Sequence, residues 1–286
     1  MAIDQVTRLR HIVWDDAFRK SKPTHYNLEP PKGVPNMNFS LDLAPEQRIA
    51  DMRGVSEPFE LDQHGFTWRK HPLPPISWDK ESIEKIYLPL AEELIREAVP
   101  GATKVVSFDY RLRSTGDYVD PAAELAFKNF TEWIAPFERV HVDQTPARAK
   151  ERVIEQMGEE SEYLLTHRWS CINLWRPIRN PVLDCPLAMC DAGSVGPDDL
   201  VATDNYRETF SGESYYMVHK PEHKWYYLSE QTRDEALLFK IHDSSDEVNA
   251  KCCPHTAFQI PGAVGTVPPR ESIEVRFLIF TAPEVN

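Results

Sequence analysis

His141 and Asp143 are the residues whose types and spacing most directly suggest chemistry. They stand two apart in ERVHVDQTP, at the end of an expected strand. In a strand, residues i and i+2 project to the same side. One imidazole nitrogen and one carboxylate oxygen would then face a single cavity. A third ligand from farther along would complete a two-histidine, one-carboxylate set. That set holds non-haem iron(II) on one side and leaves other positions open for a co-substrate and O2. The competing reading is a chance His–Asp hydrogen bond at a surface strand end, since the chain carries ten histidines.

His255, in CCPHTAF, is the first choice for the third ligand, because it follows the apolar run EALLFKI and precedes the last strand. His223, in PEHKWYY, is the rival, and His219 and His242 fit less well. Beyond His255 come Arg270 and Ser272, which share a strand face by period two. A planar guanidinium beside a hydroxyl suits a two-pronged grip on a carboxylate. Arg276 lies on the same face and is the second choice for that grip. A surface ion pair with Glu271 is the bland alternative for Arg270.

The elements that must position these residues are short. The first hundred residues are punctuated by Pro23, Pro30, Pro31, Pro35, Pro72, Pro74 and Pro75, so they read as an irregular outer layer. Helical spacing of Ile83, Ile86, Tyr87, Leu90, Leu94 and Ile95 predicts a helix over Asp79–Val99, kinked or split at Pro89. A second helix is expected from Pro121 to about Ile134. A third, from Pro146 to Met157, is capped by Thr145. After Glu160 short apolar or alternating runs predict strands at Arg168–Trp175, Pro186–Cys190, Ser214–Val218, Lys224–Leu228, Glu235–Ile241 and Ser272–Phe280. Trp169, Trp175, Trp225 and Tyr227 either line an apolar substrate pocket or belong to the core. The organisation read from this pattern is mainly β with flanking α-helices. It forms a single catalytic domain over 1–286, with an outer layer in 1–104 and a β-rich core in 105–286.

A formal net charge of −13 argues against a nucleic-acid-binding surface, which needs clustered positive charge. It also means that an anionic co-substrate needs a basic residue inside the site. No apolar run approaches the ~20 residues that cross a bilayer. The mixed-charge start MAIDQVTRLR does not read as a secretory signal. Five cysteines without a C-x-x-C pair fit a reduced, cytoplasmic protein lacking structural zinc. A homodimer is compatible with the long outer layer.

Several strings occur in a fixed order: HVDQ (141–144), NLWRP (173–177), PLAMCDA (186–192), WYY (225–227), DEALLFK (234–240), PHTAF (254–258) and RESIEVR (270–276). With FDYRLR (108–113), where a histidine is expected at Tyr110, they resemble the iron(II)/2-oxoglutarate-dependent oxygenases. More closely, they resemble the fungal and bacterial AsaB-type hydroxylase/desaturase family, which includes gibberellin-desaturase-like and CmcJ-like proteins and a meroterpenoid endoperoxidase. The resemblance covers roughly residues 105–280. It implies a double-stranded β-helix, the jelly-roll or cupin-like barrel, with iron(II) on His141, Asp143 and His255. It also implies 2-oxoglutarate and O2 as co-substrates, the former held by Arg270 with Ser272, and Arg176 in NLWRP as a further candidate for that role or for a structural ion pair. The expected activity is oxidation of a small apolar natural product: hydroxylation, desaturation or endoperoxidation in secondary-metabolite biosynthesis. A cupin-like isomerase or a zinc hydrolase on the same barrel is the alternative, since two histidines and an aspartate also serve zinc.

Overall fold

The computed structural model describes all residues except 1, 27, 118, 120–131, 207–210 and 284–286. The described chain is mainly β. A six-stranded sheet runs in the order Phe66–Lys70, Glu235–Asp243, Trp169–Pro177, Glu271–Phe280, Lys104–Ser114 and Trp133–Ile134. A nine-stranded sheet begins Gln5–Thr7, Gln47–Asp51, Trp225–Tyr227 and Leu187–Cys190. It continues through His255–Ala257, His141–Val142, Ser211–Met217, Leu200–Tyr206 and Thr24–Tyr26. Arg10–Ile12 and Leu41–Leu43 form a separate pair.

The centre of the six-stranded sheet is fully covered. All nine residues of Trp169–Pro177 are buried, and so are nine of the ten in Glu271–Phe280. Cover on both faces explains why these strands read as near-continuous apolar runs rather than clean alternations. One face packs with the Leu88–Ala98 helix: Ile172, Leu174, Ile273, Val275 and Phe277 join Tyr87, Ala91, Leu94 and Ile95. The other face meets the nine-stranded sheet, where Trp169, Trp175, Leu237, Phe239 and Leu278 share a cluster with Val142, Leu187, Met189 and Ala257.

Each expected strand after Glu160 is present within a few residues of its expected ends. The Pro89 disturbance takes a specific form. Residues Ile83–Tyr87 make a π-helical turn between Lys80–Ser82 and the α-helix from Leu88, so the helical backbone runs on through Pro89, with the irregular turn just before it. The Thr145 cap is made, with its hydroxyl accepting from Arg148 N at 3.3 Å. Residues 121–131 of the expected second helix lie outside the described residues, and its end, Trp133–Ile134, is a strand paired with Leu112 and Arg113. The first hundred residues are more ordered than their prolines suggest: Gln47–Asp51 enters the nine-stranded sheet and Phe66–Lys70 edges the six-stranded one. Such strands escape a pattern search because three to five residues show too little alternation to measure.

Candidate metal centre

Two rows of cross-strand neighbours build the site. In the nine-stranded sheet His141 pairs directly with His255, which pairs with Met189. Two strands far apart in sequence therefore bring the two imidazoles into contact, with ring centroids 4.4 Å apart. In the six-stranded sheet Arg276 lies between Asp109 and Asn173. Asp143 follows the His141–Val142 strand and reaches across to this second row.

One ligand atom from each of His141, Asp143 and His255 falls within 4.8 Å of the others, and this is the group among the described residues with such convergence. Both histidines are oriented through Nδ1, toward Arg139 O at 2.8 Å for His141 and Cys253 O at 3.0 Å for His255. A carbonyl oxygen only accepts, so Nδ1 donates in each ring and Nε2 is the nitrogen left facing the centre. Burial, aided by the neighbouring His141, pushes His255 down to about 3, so it is neutral at physiological pH. Burial works to raise Asp143, but the Arg276 guanidinium beside it overrides this and holds the carboxyl well below its usual range. Neutral imidazoles and an ionised carboxylate are the forms that bind a divalent metal.

The same cavity is lined by Arg113, Phe137, Leu187, Ala257, Arg270 and Glu274. Arg270 is only 1% exposed. Its Nε donates to Ser272 Oγ at 3.0 Å and its Nη1 to Cys185 O at 2.7 Å, while its guanidinium lies 4.9 Å above the Trp175 ring. Its Nη2 is buried with no partner among the described residues. Burial lowers the Arg270 pKa, as expected of a cation without a carboxylate against it. A buried, unpaired donor on a fixed guanidinium suits a carboxylate ligand.

A family model described as an oxidoreductase/YMDC permease-like domain matches residues 12–280. The alpha-ketoglutarate-dependent dioxygenase phiK of Fungal sp. (strain ATCC 74256) is 35% identical over 91% of this chain and 90% of its own length. The Fe(II)/2-oxoglutarate-dependent dioxygenase nvfI of Aspergillus novofumigatus is 32% identical over 94% of each chain. A solved structure of the iron and alpha-ketoglutarate-dependent endoperoxidase NvfI superposes with a TM-score of 0.84 at 29% identity, covering 98% of this chain and 99% of that one. The chain belongs to this family of dioxygenases. Despite the permease-like label of the family model, no helix among the described residues is long and apolar enough to cross a membrane.

Within this dioxygenase chain, the structure joins His141, Asp143, His255 and Arg270 around one cavity, sets Ser272 against Arg270 and Arg276 against Asp143, and leaves the remaining candidates elsewhere. His223 is buried elsewhere, its Nε2 3.0 Å from Asp199 Oδ2. Its ring Nδ1 accepts from Lys220 N. Arg176 points to the helix-covered face, bonded to the carbonyls of His71 and Arg233 and 5.7 Å from the Tyr87 ring. Arg276 contacts three carboxylates: Asp143 at 2.8 Å, Asp109 at 2.9 Å and Glu274 at 2.8 Å. Trp169, Trp175, Trp225 and Tyr227 are core residues. The aromatic ring on the cavity is Phe137, set edge-on against His141 at 4.6 Å.

Sequence reasoning passed over Asn173, Asp109 and Glu274. Asn173 had a readable signal: it is a lone polar residue inside the apolar run CINLW, which marks a buried amide with a partner to find. Asp109 and Glu274 had none, because an acidic residue in an alternating strand reads as solvent-facing.

Proposed function

We propose that the chain is an iron(II)/2-oxoglutarate-dependent oxygenase that oxidises a small-molecule natural product in secondary metabolism. The observation that carries this reading is one cavity lined both by the His141, Asp143, His255 group and by a buried arginine with an unpaired donor. His141 and His255 would hold the metal through Nε2, and Asp143 through a carboxylate oxygen. Arg270, braced by Ser272 and Cys185 O, would bind the distal carboxylate of 2-oxoglutarate. Bound iron(II), 2-oxoglutarate and O2 supply the oxidising chemistry, with succinate and CO2 as co-products.

The chain's own residues bind, orient and exclude water. Phe137, Leu187 and Ala257 form the apolar part of the lining, which would limit water around a bound substrate. We read the two large sheets as the walls of a double-stranded β-helix, and residues 1–286 as one catalytic domain. The N-terminal strands paired into both sheets support that reading. A zinc hydrolase or a cupin-like isomerase gains nothing from a buried guanidinium held ready for a carboxylate, so the oxygenase reading is preferred.

The test is O2 uptake and succinate release by purified, iron-loaded protein with 2-oxoglutarate and a panel of fungal natural products. Stoichiometric succinate that disappears in Asp143→Ala is expected. Metal-dependent turnover of a substrate without succinate would overturn the reading.

A further inference from the structure

We propose that Asn173 and Arg276 are positioning residues that occupy one oxygen of Asp143 and leave the other as a single metal-binding atom. The inference rests on the reading of His141, Asp143 and His255 as the metal ligands. An ionised carboxylate has two oxygens, each with two acceptor directions. Oδ2 of Asp143 receives Asn173 Nδ2 at 2.8 Å and Arg276 Nε at 2.8 Å, so protein donors fill both of its directions.

Oδ1 has His141 Nε2 beside it at 3.2 Å. His141 Nδ1 is turned to Arg139 O, so Nε2 is the ring nitrogen that faces this oxygen. Ligands about 2.1 Å from one divalent ion and at right angles stand roughly 3 Å apart.

Arg276 is itself held from every edge. Its Nη1 meets Asp109 Oδ2, its Nη2 meets Glu274 Oε1, and Arg111 forms a further ion pair with Asp109. The Asp109–Arg276–Asn173 row spans three hydrogen-bonded strands, so the donors are placed by sheet register rather than by flexible side chains. A neutral amide at 173 is also the right charge, since an aspartate there would oppose Asp143. The consequence is a fixed mode of binding. A carboxylate free to turn and bind through both oxygens would take a coordination position that the co-substrates need. Arg276 thus acts behind the metal ligand rather than on 2-oxoglutarate.

The test uses Co(II) alone as probe, titrated into the metal-free full chain and followed by its visible absorption bands. Asn173→Ala removes one neutral donor, and Arg276→Lys keeps the charge without the fork. Thermal melting of each metal-free variant runs alongside, and Asp143→Ala is the control. Each positioning variant should weaken Co(II) binding about 10- to 100-fold and change the shape of the bands. Asn173→Ala should do so with little change in melting temperature. A residue whose variant keeps wild-type affinity and band shape is removed from the assignment, and the inference falls if both do. A weaker affinity that only tracks a lower melting temperature, with unaltered bands, also overturns it. Wild-type Co(II) binding by Asp143→Ala would instead overturn the metal assignment beneath it.

Discussion

On one face of the six-stranded sheet, Ile172, Leu174, Ile273, Val275 and Phe277 pack with the helix that begins at Leu88. On the other, Asn173 and Arg276 contact Asp143, while Ser272 braces Arg270 and Glu274 lines the cavity. The two sets alternate along the same two strands, residue by residue, because successive side chains of a strand point to opposite faces. Cross-strand pairing keeps them sorted: Leu174 opposes Val275, and Asn173 opposes Arg276. A slip of one residue would exchange the faces, burying Arg276 beneath the helix and setting aliphatic side chains against the metal centre. Stability and chemistry are therefore specified by one register. The apolar face makes a slip costly, and the polar face benefits from the geometry that results.

This contrast can be broken most severely at the ligands. Asp143→Ala or His255→Ala should abolish stoichiometric iron binding, weakening it by more than the about 100-fold that an outer contact costs. His223→Ala should leave it intact, as metal analysis after desalting would show. On the opposite face, Leu174→Ala should lower unfolding free energy by about 2–5 kcal/mol, the range for a buried leucine. It should leave iron content unchanged, and denaturant titration with metal analysis on the same sample checks both halves.

The two buried arginines sharpen the comparison further. Arg270→Ala should raise the 2-oxoglutarate requirement by about 10- to 100-fold, the loss of a charged hydrogen bond worth about 1.5–3 kcal/mol. Arg176→Ala should leave that requirement unchanged and instead lower the melting temperature. A change in 2-oxoglutarate KM for Arg176→Ala would mean that the faces are not separated in function. The smallest effect expected is at the start of the Pro146–Met157 helix, just beyond the ligand segment. Thr145→Ala removes its cap and should cost about 1 kcal/mol of stability.

Much of this was legible in the chain before folding, for identifiable reasons. The helix over residues 80–98 and the one from Pro146 announce themselves by period, cap and proline position, all of which are local. The strands after Glu160 are long apolar or alternating runs between turn residues. The two-residue spacings of His141 with Asp143 and of Arg270 with Ser272 are read directly, although Asp143 lies just past its strand and Arg270 just before its own. Those features need only neighbours within one turn or one pleat, so sequence by itself determined them.

What only the tertiary structure decided is where each of the competing residues sits. Four histidines competed for the third ligand position; the pairing of His255 with His141 is what supports proposing it, while Asp199 engages His223 elsewhere. Three arginines competed for the carboxylate, and strand orientation separates them. Arg176 points to the helix side, Arg276 is surrounded by Asp109, Asp143 and Glu274, and Arg270 keeps a free donor. The N-terminal strands, short and without measurable alternation, exist because sheet edges accept them. The physical reason is common to all of these. Register joins residues a hundred positions apart through backbone hydrogen bonds, and such bonds leave no mark on the local sequence.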